Sequence, residues 1–253
     1  MPSWPSPHFL RPVQSVMTMD PLVLLTDVDR ATDELLRTAA DLDPAAVARP
    51  SLLPGWTVGH VLTHLARNAD ALTNLLTWAR TGNETPAYAS TEARDEAIEA
   101  GAGRPLREQV EDIRQAHERF ADAGAAMPAE AWTFRLPAGK PGMPTAAAVP
   151  WARLREVTVH HVDLGAGHTP ADWSDAFALR LLREIVSGAT TEAPPMILRP
   201  YGIEHPLTIG DATDPPVVGG PTRSLAAWLA GRGDGSDLTV SPDGGLPTPS
   251  RWK

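Results

Sequence analysis

The sequence predicts an α+β protein, a four-helix bundle over residues 20–167 followed by a small α+β domain over residues 168–253. Three observations predict it. Apolar residues recur at helical steps of three and four along the chain before Gly165. That periodicity stops at Gly165-Ala166-Gly167-His168-Thr169-Pro170. Beyond it, short β-prone runs appear, bounded by Gly, Pro or Asp.

Met1 to Met19 carries Pro2, Pro5, Pro7 and Pro12 around Phe9-Leu10, without a charged start and a long apolar run. It is a poor secretory leader and is expected to be a disordered arm. From Pro21 to about Ala40, Leu22, Leu25, Val28, Ala31, Leu35 and Leu36 form the stripe of an amphipathic helix. Asp41 to Pro54 is a Pro-punctuated connection. A second helix follows with Thr57 as N-cap, running to about Arg80 on Val61, Leu62, Leu65, Ala69, Leu72, Leu75 and Leu76. It ends at Thr81-Gly82-Asn83.

Ser90 to Gly101 reads as a short helix, and Leu106 to about Ala123 as a longer one with Val110, Ile113 and Phe120 on one side. Ala129 to Val149 carries Pro137, Gly139, Pro141, Gly142 and Pro144 beside Trp132 and Phe134, which suggests an extended crossover with scope for a short hairpin. Pro150 suits the first turn of a helix to about Leu164, because its missing N–H is not needed there. Trp173 to Ser187 is a further helix. Met196 to Arg199, Leu207 to Ile209, Val217-Val218 and Leu238 to Val240 are predicted strands. Between the last two, Pro221 to Ala230 reads as a helix with Leu225, Trp228 and Leu229 as its apolar face.

The formal charge of -9 and a pI near 5.3 exclude a nucleic-acid backbone as the expected partner, since that needs a clustered excess of Lys and Arg. Lys occurs at Lys140 and Lys253 alone, and the Arg residues are spread through the chain. Arg suits small carboxylates and phosphates, so an anionic small molecule fits. The absence of Cys removes disulfides, thiolate ligands and thiol nucleophiles, so thiol chemistry would need a borrowed thiol. No stretch is apolar enough to predict a membrane span, and a cytoplasmic location is expected.

His60 and His64 lie four apart on the predicted second helix and project from one face. Glu156 and His160 are likewise four apart on the helix after Pro150, with His161 and Asp163 following. A carboxylate and an imidazole at that spacing, joined by an imidazole from a facing helix, give a bundle metal site with room for an exogenous ligand. Nitrogen and oxygen ligands without thiolate suit zinc, and also iron, nickel or manganese. Spacing leaves His60 and His64 as equal candidates, and such pairs also arise as ordinary helix polarity. His161 and Asp163 read equally as groups that orient ligands or as surface residues. Trp56, Trp151 and Trp228 read as core anchors.

The run Ser51-Leu52-Leu53-Pro54-Gly55-Trp56-Thr57-Val58-Gly59-His60-Val61-Leu62-Thr63-His64-Leu65-Ala66-Arg67-Asn68-Ala69-Asp70 resembles the second-helix motif of mycothiol-dependent maleylpyruvate isomerases, in the wider DinB/YfiT-like superfamily. Arg94 to Gly101 is similar to an internal helix of that family. Arg155-Glu156-Val157-Thr158-Val159-His160-His161-Val162-Asp163-Leu164 is similar to its fourth bundle helix. Gly220 to Arg232, followed by Leu246-Pro247, resembles its small second domain. The resemblance runs from about Asp20 onward.

It implies a DinB-like bundle whose metal ligands are His64, Glu156 and His160, with zinc as the usual ion and His60 as a neighbour. It also implies mycothiol, a cysteinyl thiol of actinobacteria, as cosubstrate, in keeping with the Cys-free chain. The implied reaction converts maleylpyruvate to fumarylpyruvate by thiolate addition, rotation and elimination. Arg94 and Arg232 are the candidates to meet the anionic substrate; the alternatives are a surface ion pair for Arg94 and a helix cap for Arg232. Two further readings stay open in the same frame: a mycothiol S-transferase that conjugates an electrophile, and a metal- or ligand-binding protein without turnover.

Overall fold

The computed structural model describes residues 20–136, 143–190, 192–250 and 252. The expected N-terminal arm and the Pro- and Gly-rich tip at 137–142 lie outside them.

Helix α1 (Pro21–Ala40) starts where Asp20 accepts a hydrogen bond from Leu22 N–H at 2.9 Å and Pro21 occupies the first turn. Helix α2 (Val58–Thr81) starts with a reciprocal cap: Thr57 Oγ1 accepts from His60 N–H, and His60 Nδ1 accepts from Thr57 N–H at 3.2 Å. Gly82 ends it in the left-handed region, at φ 73°, which a side chain would disfavour. Ser90 caps α3 (Thr91–Ala102). Helices α4 (Leu106–Ala125) and α5 (Val149–Asp163) have no side-chain cap, and their burial in the bundle sets them instead.

Packing orders four helices in a ring, α1 against α4, α4 against α2, α2 against α5 and α5 against α1, with α3 leaning on α2. The α2–α3 contact is close because Gly59 has no Cβ: one added there would lie 2.0 Å from Ala102 O. Helix α5 is the unusual member, since Trp151, Arg153, Leu154, Val157, Val159, His161, Val162 and Asp163 are all buried on it. A helix buried all round must satisfy its polar groups internally, so its charged residues need partners.

The expected crossover before α5 is described on either side of 137–142. It forms single 3-10 turns at Ala129–Thr133 and Ala146–Ala148, with one antiparallel bridge between Arg135 and Thr145. Trp132 and Ala146 are buried, so each turn is anchored in the core.

Beyond the bundle, α6 (Asp175–Ser187) begins after the Ser174 cap, and Trp173, expected inside the helix, precedes it as a buried anchor. Strands β1 (Met196–Pro200), β2 (Leu207–Ile209), β3 (Val217–Gly220) and β4 (Thr239–Ser241) form one sheet in the order β2-β1-β3-β4. The β1–β3 pair is parallel and the two outer pairs are antiparallel. Helix α7 (Thr222–Leu229) packs on α6 and on β1 and β3. Trp151 of α5 meets Phe177 of α6 at 5.5 Å between ring centroids, and Phe177 meets Trp173 at the same distance. One continuous apolar core therefore joins the bundle to the C-terminal unit.

Candidate metal centre

Helices α2 and α5 face each other in the ring, and this brings His64 against Glu156 and His160. His64 Nε2 lies 3.0 Å from Glu156 Oε2, and His160 Nε2 lies 3.5 Å from the same oxygen. The His64 and His160 rings meet edge to face, with centroids 4.7 Å apart. One ligand atom from each of the three residues falls within 4.8 Å of the others, the one such cluster of potential metal ligands among the described residues. Tetrahedral bonds of about 2.0 Å place neighbouring ligand atoms about 3.3 Å apart, so the nitrogen, oxygen and nitrogen donors fit a zinc-like ion without large movement.

The electrostatics suit the same use. Burial holds the His64 imidazole down to about 4, against the opposing hydrogen bond from Glu156, so at neutral pH the ring is uncharged and can offer one nitrogen lone pair to an ion. Burial alone would push the Glu156 carboxyl up. The hydrogen bonds and charges of His160 and His64 outweigh it and hold the group well below the usual carboxylate range. His160 is opposite in sign: burial disfavours its charge, but hydrogen bonds to Asp163 and Glu156 outweigh burial and raise it. Its Nδ1 sits 2.8 Å from Asp163 Oδ2, which turns Nε2 toward Glu156.

Asp163 is 1% exposed and is itself held by Arg232, with Nε to Oδ1 at 3.1 Å and Nη2 to Oδ2 at 2.8 Å. Burial would raise its pKa, and the bonds to His160 and Arg232 keep it below the usual range. Arg232, expected to meet substrate, thus directs two nitrogens to Asp163, and its Nη1 donates to Ala230 O at 2.7 Å in the manner of a helix cap. Arg94 pairs with Asp95 at 2.7 Å, and its charge also reaches the buried His64 and Tyr88. Burial pushes the Tyr88 hydroxyl up to about 12, against a hydrogen bond with Arg94.

His60 takes no place in the cluster. Its Nδ1 completes the α2 cap and its Nε2 lies 3.1 Å from Glu99 on α3. His161, on the other face of α5, pairs with Thr38 Oγ1 at 2.8 Å and stacks on His168 at 3.8 Å. Trp56 does more than anchor a helix start. The turn that carries it is fixed by Gly55 at φ 82° and by Leu52 N–H donating to Asp163 O at 2.9 Å, and its ring lies 5.5 Å from that of His64.

Sequence reasoning missed Arg153, Arg155, Glu184 and Trp252. Arg155 donates to Glu156 Oε1 at 3.4 Å and to Glu184, which also accepts from Trp151 Nε1. The Trp252 ring faces both Arg155 and Arg232, each at 5.9 Å. The available signal was the charge of Arg153 and Arg155 within one turn of Glu156, in the half of the helix that is otherwise apolar.

Residues 28–165 match the family model for the mycothiol maleylpyruvate isomerase N-terminal domain. That is more than half of the chain. The chain belongs to the mycothiol maleylpyruvate isomerase family. A crystal structure of the mycothiol-dependent maleylpyruvate isomerase superposes with a TM-score of 0.85 at 32% identity, covering 92% of this chain and 98% of that one. A histidine-to-alanine variant of that isomerase superposes with a TM-score of 0.83 at 31% identity over the same shares. No curated protein matches the chain significantly. The likeness extends well beyond the N-terminal domain, so the C-terminal unit belongs to the fold of these isomerases too, and the protein is an enzyme of this family. Among the described residues, no helix is long and apolar enough to cross a membrane.

Proposed function

We propose that the protein is a cytoplasmic, metal- and mycothiol-dependent cis–trans isomerase that converts maleylpyruvate, or a similar cis-enoyl acid, to the trans isomer. The observation that carries this reading is the partly buried His64–Glu156–His160 cluster in a fold shared over 92% of the chain with a mycothiol-dependent isomerase. Zinc is the ion best matched to two imidazoles, one carboxylate and no thiolate.

His64, Glu156 and His160 would hold the ion, which, when bound, favours ionisation of a thiol seated next to it. The chain has no Cys, so the sulfur comes from mycothiol. The thiolate forms a C–S bond to one alkene carbon, and the π electrons move to the conjugated carbonyl as an enolate. The resulting C–C single bond rotates. Collapse of the enolate then breaks the C–S bond, expels the thiolate and leaves the trans alkene.

The chain's own residues set the conditions. Asp163 fixes the ring of His160 and keeps its Nε2 inward. Arg94, whose charge reaches both His64 and Tyr88, would supply positive charge and Tyr88 a donor for the carboxylates and the enolate oxygen. Trp56 forms an apolar wall next to His64.

Incubating the metal-loaded protein with maleylpyruvate, with and without mycothiol, tests the proposal. Thiol-dependent appearance of fumarylpyruvate is the expected result. A stable thiol adduct would instead identify an S-transferase, and bound metal with neither product a binding protein.

A further inference from the structure

The arginines around the centre differ in how their charge is matched. Arg94 pairs with Asp95, Arg155 with Glu184 and Arg232 with Asp163. Arg153 is 0% exposed and has no carboxylate in hydrogen-bond contact among the described residues. Its Nη1 donates to Leu65 O at 2.8 Å and to Asn68 Oδ1 at 3.0 Å, while Nε and Nη2 are buried without a partner. An isolated buried cation is costly, and one that persists next to a site calls for a reason.

Its position supplies one. Arg153 precedes Glu156 by three residues and His160 by seven, so the three lie along one face of α5. Its two acceptors belong to α2, one next to His64 and one a turn further on. The guanidinium therefore occupies the layer directly behind the ligand layer, roughly 6 Å away at one helical turn. Burial lowers its pKa to about 10, so it stays protonated at neutral pH, and Glu156 is the foremost of the charges that oppose this shift. Once Glu156 binds a cation, its charge is committed there, and Arg153 is left as fixed, unmatched positive charge.

We propose that Arg153 is a positioning residue that biases the loaded centre toward anionic ligands, at some cost in affinity for the metal itself. This rests on the metal-dependent reading above. Removing a positive charge close to a bound cation relieves repulsion, whereas the same removal weakens an anion seated on that cation. At about 10 Å and an effective dielectric constant near 20, the loss is about tenfold for each ligand charge, and so about a hundredfold or more for a dianion.

The experiment uses cobalt(II)-loaded full-length protein, whose visible spectrum reports ligands entering the centre. Maleate serves as the dianionic probe and imidazole as a neutral one, on wild type, Arg153→Met and Arg153→Lys. The expected result for Arg153→Met is maleate binding about a hundredfold weaker, imidazole binding within about twofold, and cobalt binding tighter. Arg153→Lys keeps the charge and should stay close to wild type. Equal weakening of cobalt, maleate and imidazole would mean a merely structural brace and overturn the proposal, as would unchanged maleate binding. If Arg153→Met does not fold, Arg153→Gln against Arg153→Lys makes the same comparison. If wild type binds no cobalt, the metal reading itself fails and the proposal falls with it, an outcome distinct from any difference between variants.

Discussion

Arg232 grips Asp163 with two parallel contacts, 3.1 Å from Nε to Oδ1 and 2.8 Å from Nη2 to Oδ2, and both side chains are nearly buried. Asp163 in turn holds His160. A residue after the last turn of α7 thereby fixes the tautomer of a candidate ligand on α5. Asp163→Asn should weaken metal binding about 10–100-fold with little change in fold, because the amide cannot hold imidazole and guanidinium in the same way. Arg232→Met should destabilise the protein by about 3 kcal/mol, since it leaves a buried carboxylate unpaired. Metal competition against a calibrated chelator measures the first and denaturant unfolding the second; wild-type values for both would show that the chain Arg232–Asp163–His160 has no role.

Substitution of the cluster itself should separate it from its neighbours. His64→Ala, Glu156→Gln and His160→Ala are each expected to lose stoichiometric metal, and chelator should lower the melting temperature of wild type but not of these three variants. At metal concentrations near a thousand times the dissociation constant, that difference amounts to about 4 kcal/mol. His60→Ala should retain the metal and lose about 1 kcal/mol of stability, as expected for a helix cap. Elemental analysis after gel filtration decides this, and loss of metal from His60→Ala would return that residue to the ligand set.

The α2–α3 approach makes a sharp steric prediction. A methyl group on Gly59 would collide with Ala102 O at 2.0 Å and crowd Gln109 Nε2 at 3.1 Å, the donor that serves that carbonyl. Gly59→Ala should therefore cost about 3 kcal/mol in urea unfolding. Gly103→Ala, with nothing nearby and an ordinary φ, should stay within about 0.5 kcal/mol.

Acid sensitivity follows from His117 on α4. Burial holds this imidazole below its ordinary range, and the Arg153 charge adds to that, against Asp29 at 3.3 Å. A folded-state pKa lowered from an unfolded value near 6.5 means the unfolded chain takes up protons first as pH falls. The contribution is complete above about pH 6.5 and declines below it, by at most roughly 1.4 kcal/mol per pH unit. His117→Asn should flatten the slope of unfolding free energy between pH 6.5 and 5 in metal-free protein; an unchanged slope would assign the sensitivity elsewhere. NMR titration should also show the His117 pKa rising in Arg153→Met.

Helix positions were legible because their signals are local. Thr57, Ser90 and Gly82 mark ends by cap chemistry that needs no tertiary partner. The apolar stripe of α2 likewise states which face is buried. The i,i+4 pair on α5 was legible for the same reason, and the motif resemblance separated His64 from His60. The structure supplies a physical basis for that separation, since the His60 ring is occupied by its own helix cap and by Glu99. The contact of Arg232 with Asp163 spans 69 residues of sequence and has no periodic signature. Arg153 was missed because a lone charge on an apolar face looks the same in sequence whether it reaches solvent or points inward. Trp173 was placed inside α6 because hydrophobicity does not reveal that Ser174 is the cap.

Helix α5 is enclosed on every side: Arg153 is tied to α2, Trp151 and Arg155 to Glu184 on α6, His161 to Thr38 on α1, and Asp163 to Arg232 after α7. Glu156 and His160 nevertheless keep 20% and 15% of their side-chain surface open, so the centre is reached without moving any of these neighbours. The frame that holds the ligands is rigid while the approach to them is open, so release of an ion should not wait for the slowest-exchanging backbone amides of the molecule. Isotopic metal exchange would accordingly run faster than global unfolding, giving a centre that can be emptied and refilled while the chain stays folded.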